Sequence, residues 1–356
     1  MKLIFITESL GSGGAERQLT RLAVLFKNAG HEVNVVTWGS RQFHAGYLRE
    51  NGVEHLMIPD YPKVKRIINL AKLFRTRKPD AVISYLSMAN ETAIIARSFA
   101  RVPRLIVSER SFTTVWSART RLRYFLYRFA DRVIANSNNE AENICSKVPG
   151  LKNKTLAIPN FVEIDKFVPA ENPQFDTGSP IRIVSVGRVI ATKNVLRAMH
   201  ALKNIIDAGY VCTLDWYGDT YDREYISDVE RLTEELGLKN HFFLRGETIR
   251  IHHILPDYDI FFFPSLLEGY PNALCEAMAC GLPAVSSNAG EMPYILDDGR
   301  GGFLCNPSDT DSMTSALRRI LDLTFEQRKE MGIYNRAKIV ANNSPQKIFQ
   351  KYFALI

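Results

Sequence analysis

The chain has 356 residues, more than a single hydrophobic core usually organises, so two domains are expected. Its 46% hydrophobic and 23% charged residues are those of a globular protein and exclude a disordered or low-complexity chain. The net charge of +7 is unevenly spread: residues 1–170 hold 26 Lys and Arg against 14 Asp and Glu, whereas residues 171–356 hold 19 against 24, so the first half seeks an anionic partner.

In chain order, the apolar run Leu3 to Ile6 is far shorter than a signal-peptide core and reads as a first β-strand. No apolar stretch approaches the length of a membrane span, so a soluble or peripheral protein is expected. Runs rich in Val and Ile then alternate with helical patterns, the mark of parallel sheets covered by helices on both faces. KLIFIT, EVNVVT, VEHLMI, AVISYL, RLIVSE and RVIANS read as strands, with helices near 15–29, 63–77, 89–100, 117–130 and 138–147. Residues 159–180 carry Pro, Asn, Asp and Gly without periodicity and read as a linker.

The rhythm restarts with IRIVSVG, CTLDWYG, HFFLRG, DIFFFPS, PAVSS and GGFL, separated by helices near 194–208, 222–236, 272–280 and 309–321. Two α/β domains follow, at 1–170 and 171–341, with the amphipathic end at about 342–356 expected to return to the first. The five cysteines show no CxxC spacing, which argues against a disulfide framework or a zinc site and for small buried residues in a reducing compartment.

Open α/β sheets bind ligands outside the carboxyl ends of their strands, so motifs there carry the functional reading. The first, Gly11-Ser12-Gly13-Gly14-Ala15-Glu16, lets backbone approach a phosphate at a helix start. It is not a dinucleotide fingerprint: Glu16 replaces the third glycine and no acidic residue closes the second strand, which disfavours a nicotinamide oxidoreductase. The alternative is a plain strand-to-helix turn. The second motif places Arg188, a forked donor, and Lys193, a point charge, after strand 181–186, where they suit a diphosphate; solvated loop cations are the alternative.

The third motif runs from Pro264 to Pro283. A buried strand enters a loop with Glu268 and Gly269, then a helix capped by Asn272 with Glu276 in its first turns. Either glutamate alone suits a helix start for dipole reasons, but together they favour hydroxyl recognition. Asp257-Tyr258-Asp259 looks like a metal-binding DxD dyad, yet it precedes a buried strand, away from the loop at 265–271, and reads as a structural turn.

Residues 264–283 resemble the EX7E region of the retaining GT-B glycosyltransferases of glycosyltransferase family 4. The GSGGAE loop, KPDAVIS at 78–84, PNFVEIDKF, VGR followed by TKN, and AGEMPYI at 289–295 extend the resemblance over nearly the whole chain. The resemblance implies an α/β GT-B fold of two Rossmann-like domains facing a central cleft, an acceptor-binding first domain and a nucleotide-sugar-binding second. Closure of such a cleft excludes water and suppresses hydrolysis.

By position, Gly13 and Gly14 would face the donor phosphates, and Arg188 and Lys193 would bind the diphosphate. Glu268 would orient the transferred sugar, and Glu276 would hold the ribose hydroxyls. The amides from about Gly269 to Leu274, a stretch that includes Tyr270, Pro271, Asn272 and Ala273, would cradle phosphate and sugar, with Gly246 and Ile249 by the base. Family habit implies a UDP-sugar, retention of configuration, and neither cofactor nor metal. It also implies a polyprenyl-diphosphate-linked glycan acceptor for surface polysaccharide, at the cytoplasmic face of the inner membrane.

Two departures stand out. Gly218-Asp219-Thr220-Tyr221 lacks the second glycine of many relatives, and Arg110 stands where relatives often carry His, so it is expected to meet an anionic acceptor instead. Two basic amphipathic helices, around Lys65, Arg66 and Lys72 and around Arg121 and Arg123, read as membrane-surface elements; no nucleic-acid module accompanies them. A UDP-sugar 2-epimerase on the same fold and a catalytically idle nucleotide-sugar-binding subunit are the alternative functions.

Overall fold

The computed structural model describes residues 1–59, 62–171, 180–219 and 222–356. The chain forms two compact units, Met1–Phe161 with Pro345–Ile356, and Val162–Ser344. In the first, β1 (Lys2–Ile6), β2 (Glu32–Thr37), β3 (Glu54–Met57), β4 (Ala81–Tyr85), β5 (Arg104–Glu109), β6 (Arg132–Ala135) and β7 (Thr155–Ala157) form a parallel sheet in the order β3-β2-β1-β4-β5-β6-β7. Side chains alternate between two cores: Ile4, Ile6 and Val82 on one face, Leu3, Phe5, Ala81 and Ile83 on the other. A strand covered on both faces must be apolar throughout, which is why these segments read as continuous hydrophobic runs.

The covering helices are α1 (Gly14–Asn28), α2 (Ala45–Glu50), α3 (Lys63–Arg77), α4 (Ser87–Arg97), α5 (Ala118–Tyr127) and α6 (Asn138–Lys147). Ser117 and Ser137 cap α5 and α6 by accepting hydrogen bonds from the amides of Thr120 and Glu140.

In the second unit β8 (Ile181–Val186), β9 (Cys212–Tyr217), β10 (Phe242–Gly246), β11 (Ile260–Phe263), β12 (Ala284–Ser287) and β13 (Gly302–Cys305) pair in parallel in the order β10-β9-β8-β11-β12-β13. Around it lie α7 (Val195–Asp207), α8 (Arg223–Glu235), α9 (Ile251–Ile254), α10 (Asn272–Ala279), α11 (Met292–Ile295), α12 (Thr310–Leu321) and α13 (Phe325–Asn343). The last helix, α14 (Pro345–Phe353), packs on α1 of the first unit through Ile348, Phe349 and Tyr352. The Tyr352 hydroxyl lies 2.9 Å from that of Tyr85.

The expected division at 170 moves to Phe161/Val162. Gln18 holds Phe161 in the first unit, donating to its carbonyl (2.8 Å) and accepting from its amide (3.1 Å). Val162 donates to Asn343 (2.9 Å), and Arg336 donates to the carbonyls of Ile164 and Phe167, so this stretch of the expected linker is ordered on the second unit. Residues 172–179 of that linker lie outside the described residues. With these bounds the first unit holds 27 Lys and Arg against 12 Asp and Glu, a net +15, and the second 18 against 26, a net −8. Cys212, Cys275, Cys280 and Cys305 are buried free thiols, their pKa values pushed up to about 12 by burial. Among the described residues no helix is long and apolar enough to cross a membrane.

A cluster of buried ionisable groups fills the space between α4, α5 and β5. Glu109 is completely buried, and its pKa is pushed up to about 7, burial outweighing the opposing pull of Arg123 and of the Tyr127 hydroxyl that donates to it. Its folded value stands above the ordinary 4.5, so the contribution to stability is full below pH 4.5 and is lost as pH rises through about 7. Glu109→Gln should therefore flatten the decline of the thermal midpoint between pH 5 and pH 8 relative to the parent; an unchanged slope would exclude Glu109 as its source.

Gly332 of α13 crosses Gly281 so closely that an added Cβ would sit 1.9 Å from the Gly281 carbonyl oxygen, whereas Gly46 in α2 faces open space. Gly332→Ala should cost about 2–4 kcal/mol in chemical denaturation. Gly46→Ala should be neutral or stabilise by up to about 1 kcal/mol; equal effects at the two positions would refute the packing.

Candidate functional site

The strand order of the second unit reverses between β8 and β11, and at such a point two adjacent strands send their following loops in opposite directions and leave a crevice. The loop after β8 carries Arg188 and Lys193; the loop after β11 carries Glu268 and leads into α10. Leu266 donates its amide to the Thr192 carbonyl at 2.9 Å, tying the two loops together. Asn194, in the left-handed region at φ 68°, donates from Nδ2 to the carbonyls of Pro264 (3.0 Å) and Pro307 (2.7 Å) and accepts from Arg197 (3.0 Å). In the motif this residue is merely the last member after Lys193, yet its side chain fixes both loops.

Across the crevice the Lys193 ammonium pairs with the Glu268 carboxylate, the two side chains retaining 17% and 13% of their exposure. The ammonium also stands 5.2 Å from the centre of the Phe263 ring. The stem of Lys193 runs over Gly187, where a Cβ would come within 3.3 Å of Cδ and Cε. Gly218 is required by a closer approach: its Cβ would sit 1.9 Å from the Gly187 carbonyl oxygen. Gly187 N–H to Tyr217 O and Gly218 N–H to Gly246 O, both 2.9 Å, stitch the carboxyl ends of β8, β9 and β10. Thr220 and Tyr221, the rest of the departure noted after Gly218, lie outside the described residues.

Arg188 is exposed and, with Ile190, Asp222 and Arg223, lines a hollow of about 670 Å³. Arg223 escaped the sequence reading. It opens α8, whose acidic sequence REYISDVERLTEE masks one arginine at its start.

At α10 one expectation is overturned. Asn272 is the first helical residue and Pro271 occupies the cap position, so no side chain caps the helix. The Asn272 amide turns back to the Tyr270 carbonyl at 3.0 Å, which draws that residue into the helix. The uncapped start, beside Glu268, presents backbone donors and the positive end of the helix dipole. Tyr270, Pro271 and Leu274 have buried side chains, so they meet the loop only through backbone; the Tyr270 hydroxyl accepts from Asn343 at 2.6 Å. Gly269, Ala273 and Asn272 are half-buried, and Glu276 retains 7% exposure one turn into α10. Gly246 and Ile249 lie exposed at and beyond the end of β10.

Asp257 and Asp259 lie at the amino end of β11, the opposite edge. The Asp259 carboxylate accepts from the Arg182 amide (2.7 Å) and the Asp257 carbonyl from the Arg182 guanidinium (2.9 Å), as a structural turn requires. Among the described residues no three His, Cys, Asp or Glu side chains converge on a metal-sized site.

In the first unit Gly13 caps α1 and Gly14 begins it. The Glu16 carboxylate folds back over this turn: a Cβ at Gly13 would lie 2.4 Å from Glu16 Oε2, so the chain's own anion occupies the space that the missing side chain leaves. Of the basic residues expected on a surface, Lys65, Lys72 and Arg121 are exposed. Arg66 and Arg123 point inward instead. Arg66 shares a helix face with Leu70 and Phe74, stacks over Trp38 at 4.7 Å and meets the Met88 sulfur at 3.1 Å. Arg123 lies one turn before Tyr127, donates to Ser87 at 2.5 Å and stands 3.6 Å from Glu109. Counting charges found these residues; only helical phase separates them from their exposed neighbours.

The sequence and the fold are similar to those of known proteins. The sequence model for Glycosyltransferase Family 4 matches residues 12–166, and that for Glycosyl transferases group 1 matches residues 170–338. UDP-Gal:alpha-D-GlcNAc-diphosphoundecaprenol alpha-1,3-galactosyltransferase of Escherichia coli is 29% identical over 275 residues, 73% of this chain and 70% of that protein. GalNAc-alpha-(1->4)-GalNAc-alpha-(1->3)-diNAcBac-PP-undecaprenol alpha-1,4-N-acetyl-D-galactosaminyltransferase of Campylobacter jejuni is 27% identical across 95% of this chain and 93% of its own length. The crystal structure of Anabaena Alr3699/HepE in complex with UDP matches with a TM-score of 0.88 at 19% identity, covering 99% of both chains. The chain belongs to glycosyltransferase family 4, with the group 1 transferase sequence in its second unit, and is a glycosyltransferase of GT-B type.

Proposed function

We propose that the protein transfers a sugar, with retention of anomeric configuration, from a UDP-sugar to a glycan carried on a polyprenyl diphosphate, in the assembly of a bacterial surface polysaccharide. The observation that carries this reading is the meeting of Lys193 and Glu268 at the β8/β11 reversal, beside the uncapped start of α10. A nucleoside diphosphate is an anion that needs compensation, and a sugar is a set of hydroxyls that needs acceptors; the crevice supplies both. Two relatives named for undecaprenyl-diphosphate-linked acceptors, and a structural neighbour solved with UDP, support the same substrates.

In this reading Arg188 and Lys193 hold the diphosphate, and the α10 amides take the oxygen that gains charge as the glycosidic bond breaks. Lys193, already paired with the Glu268 carboxylate, offsets its charge and so lets an anionic donor approach a glutamate with less repulsion. Glu268 orients the sugar hydroxyls and stabilises positive charge at the reacting carbon, and Glu276 accepts from the ribose. The acceptor hydroxyl attacks from the face the diphosphate leaves, and the departing phosphate takes its proton.

The first unit supplies a surface for the acceptor's membrane. Val64 and Ile68 of α3 and Leu122, Phe125 and Phe129 in and just after α5 are exposed apolar residues among Lys65, Lys72 and Arg121, on a unit of net charge +15. Apolar side chains set among cations suit an anionic leaflet on the cytoplasmic side of the inner membrane.

Three outcomes test the proposal. Transfer from one member of a panel of UDP- and GDP-sugars should proceed at an undiminished rate in EDTA; loss of turnover restored by a divalent cation would contradict it. Glu276→Ala should weaken that donor by about 10- to 100-fold, while Arg188→Ala with Lys193→Ala should lower kcat by about 10²- to 10⁴-fold; donor binding and kcat near parental values would sink the assignment. Co-sedimentation with phosphatidylglycerol vesicles should fall with added salt and with Leu122→Ser plus Phe125→Ser, and vesicles of neutral lipid binding equally well would exclude the charged surface.

A further inference from the structure

Arg110 follows β5 at the carboxyl edge of the seven-stranded sheet and retains only 9% of its exposure. Its partners among the described residues are all neutral. Nη2 donates to Asn160 Oδ1, Nη1 stands 3.4 Å from Ser108 Oγ, and the guanidinium lies over the Tyr85 ring at 4.5 Å. Nε is buried without an acceptor. Among the described residues the neighbouring acid, Glu109, is engaged elsewhere, by Tyr127 and Arg123. A guanidinium removed from water without a counter-charge is a costly arrangement, and folds retain it where something else supplies the charge.

Beside it stands a second unsatisfied group. Asn136, just after β6, donates from Nδ2 to the Arg110 carbonyl at 3.0 Å, which leaves its Oδ1 buried with no donor. A buried guanidinium with a spare N–H suits an oxyanion, and an amide carbonyl with a spare lone pair, following the neighbouring strand β6, suits a hydroxyl on the same ligand. The carboxyl edge of an open α/β sheet is also where such folds admit ligands.

We propose that Arg110, with Asn136, is a receptor for an oxyanion borne by the glycan substrate, and that it selects charged over neutral substrates. The identification of the ligand as a glycan derivative rests on the transferase reading; the receptor itself does not. The oxyanion is either the diphosphate of a lipid-linked acceptor or the carboxylate of a sugar acid, and the arms of the experiment separate the two.

The test uses the full chain, Arg110→Met and Arg110→Lys. Without ligand, Arg110→Met should raise the thermal midpoint by about 2–6 °C, because it removes an uncompensated buried charge. Sodium glucuronate or inorganic pyrophosphate should raise the midpoint of the parent more than that of Arg110→Met. In turnover, the same acceptor sugar is offered on a polyprenyl diphosphate, on a neutral alkyl chain, and on that chain with an adjoining hexuronate.

The parent should favour one anionic acceptor over the neutral one by about tenfold in KM, and Arg110→Met should raise KM for that acceptor rather than lower kcat, with Arg110→Lys restoring part of the preference. Preference for the diphosphate alone identifies the lipid linkage; preference for the hexuronate alone identifies a sugar carboxylate. A lower midpoint in Arg110→Met, or equal losses on charged and neutral acceptors, would make Arg110 structural and overturn the proposal. If no acceptor is glycosylated by the parent yet the anion-induced shift still vanishes in Arg110→Met, the transferase reading fails and the receptor stands.

Discussion

The ion pair of Lys193 with Glu268 joins two loops that the sequence separates by more than seventy residues, and it forms only because β8 and β11 are neighbours at a reversal of strand order. The pair needs Gly187 beneath the lysine stem, Gly218 beneath Gly187, and Asn194 clamping the loop ends. A misplaced member would leave a carboxylate or an ammonium half-buried and alone, which is more costly than the pair itself is favourable. The site is thus a feature of the sheet's topology before it is a feature of any one residue.

Charge is divided between the units in a way that suits their proposed tasks. The second unit is acidic overall, yet Arg188, Lys193 and Arg223 stand on the segments that follow β8 and β9, where a donor's phosphates would be held by few fixed groups. The first is strongly basic, with part of that charge on exposed helices and part, at Arg66, Arg110 and Arg123, turned inward. The inward arginines differ in kind. Arg123 meets the buried Glu109, whereas among the described residues Arg110 meets neutral acceptors.

Much of the fold was legible because strands buried on both faces must be apolar throughout, and the twelve strand segments read from the sequence all lie in the two sheets. β7 and α2 were not read: three residues at a sheet edge and six residues of helix are too short to establish a period. The boundary at Phe161 escaped because it is set by Gln18, more than a hundred residues away, and by Asn343 and Arg336. At the site, residue types pointed to Arg188, Lys193, Glu268 and Glu276 through motif order. The cap at Pro271, the fold-back of Glu16 and the inward turn of Arg66 depend on backbone geometry and helical phase, which a list of motifs does not contain.

Under the proposed mechanism fixed protein cations and a helix start, rather than a bound ion, would compensate the second phosphate of the nucleotide. Calorimetric titration of UDP and of UMP in EDTA isolates that contribution, since the two ligands differ by that phosphate alone. UDP should bind at least about tenfold more tightly than UMP, and Arg188→Ala should remove most of the difference. Equal affinities in the parent protein, or a preference for UDP that appears only when a divalent cation is added, would refute compensation by the protein's own cations.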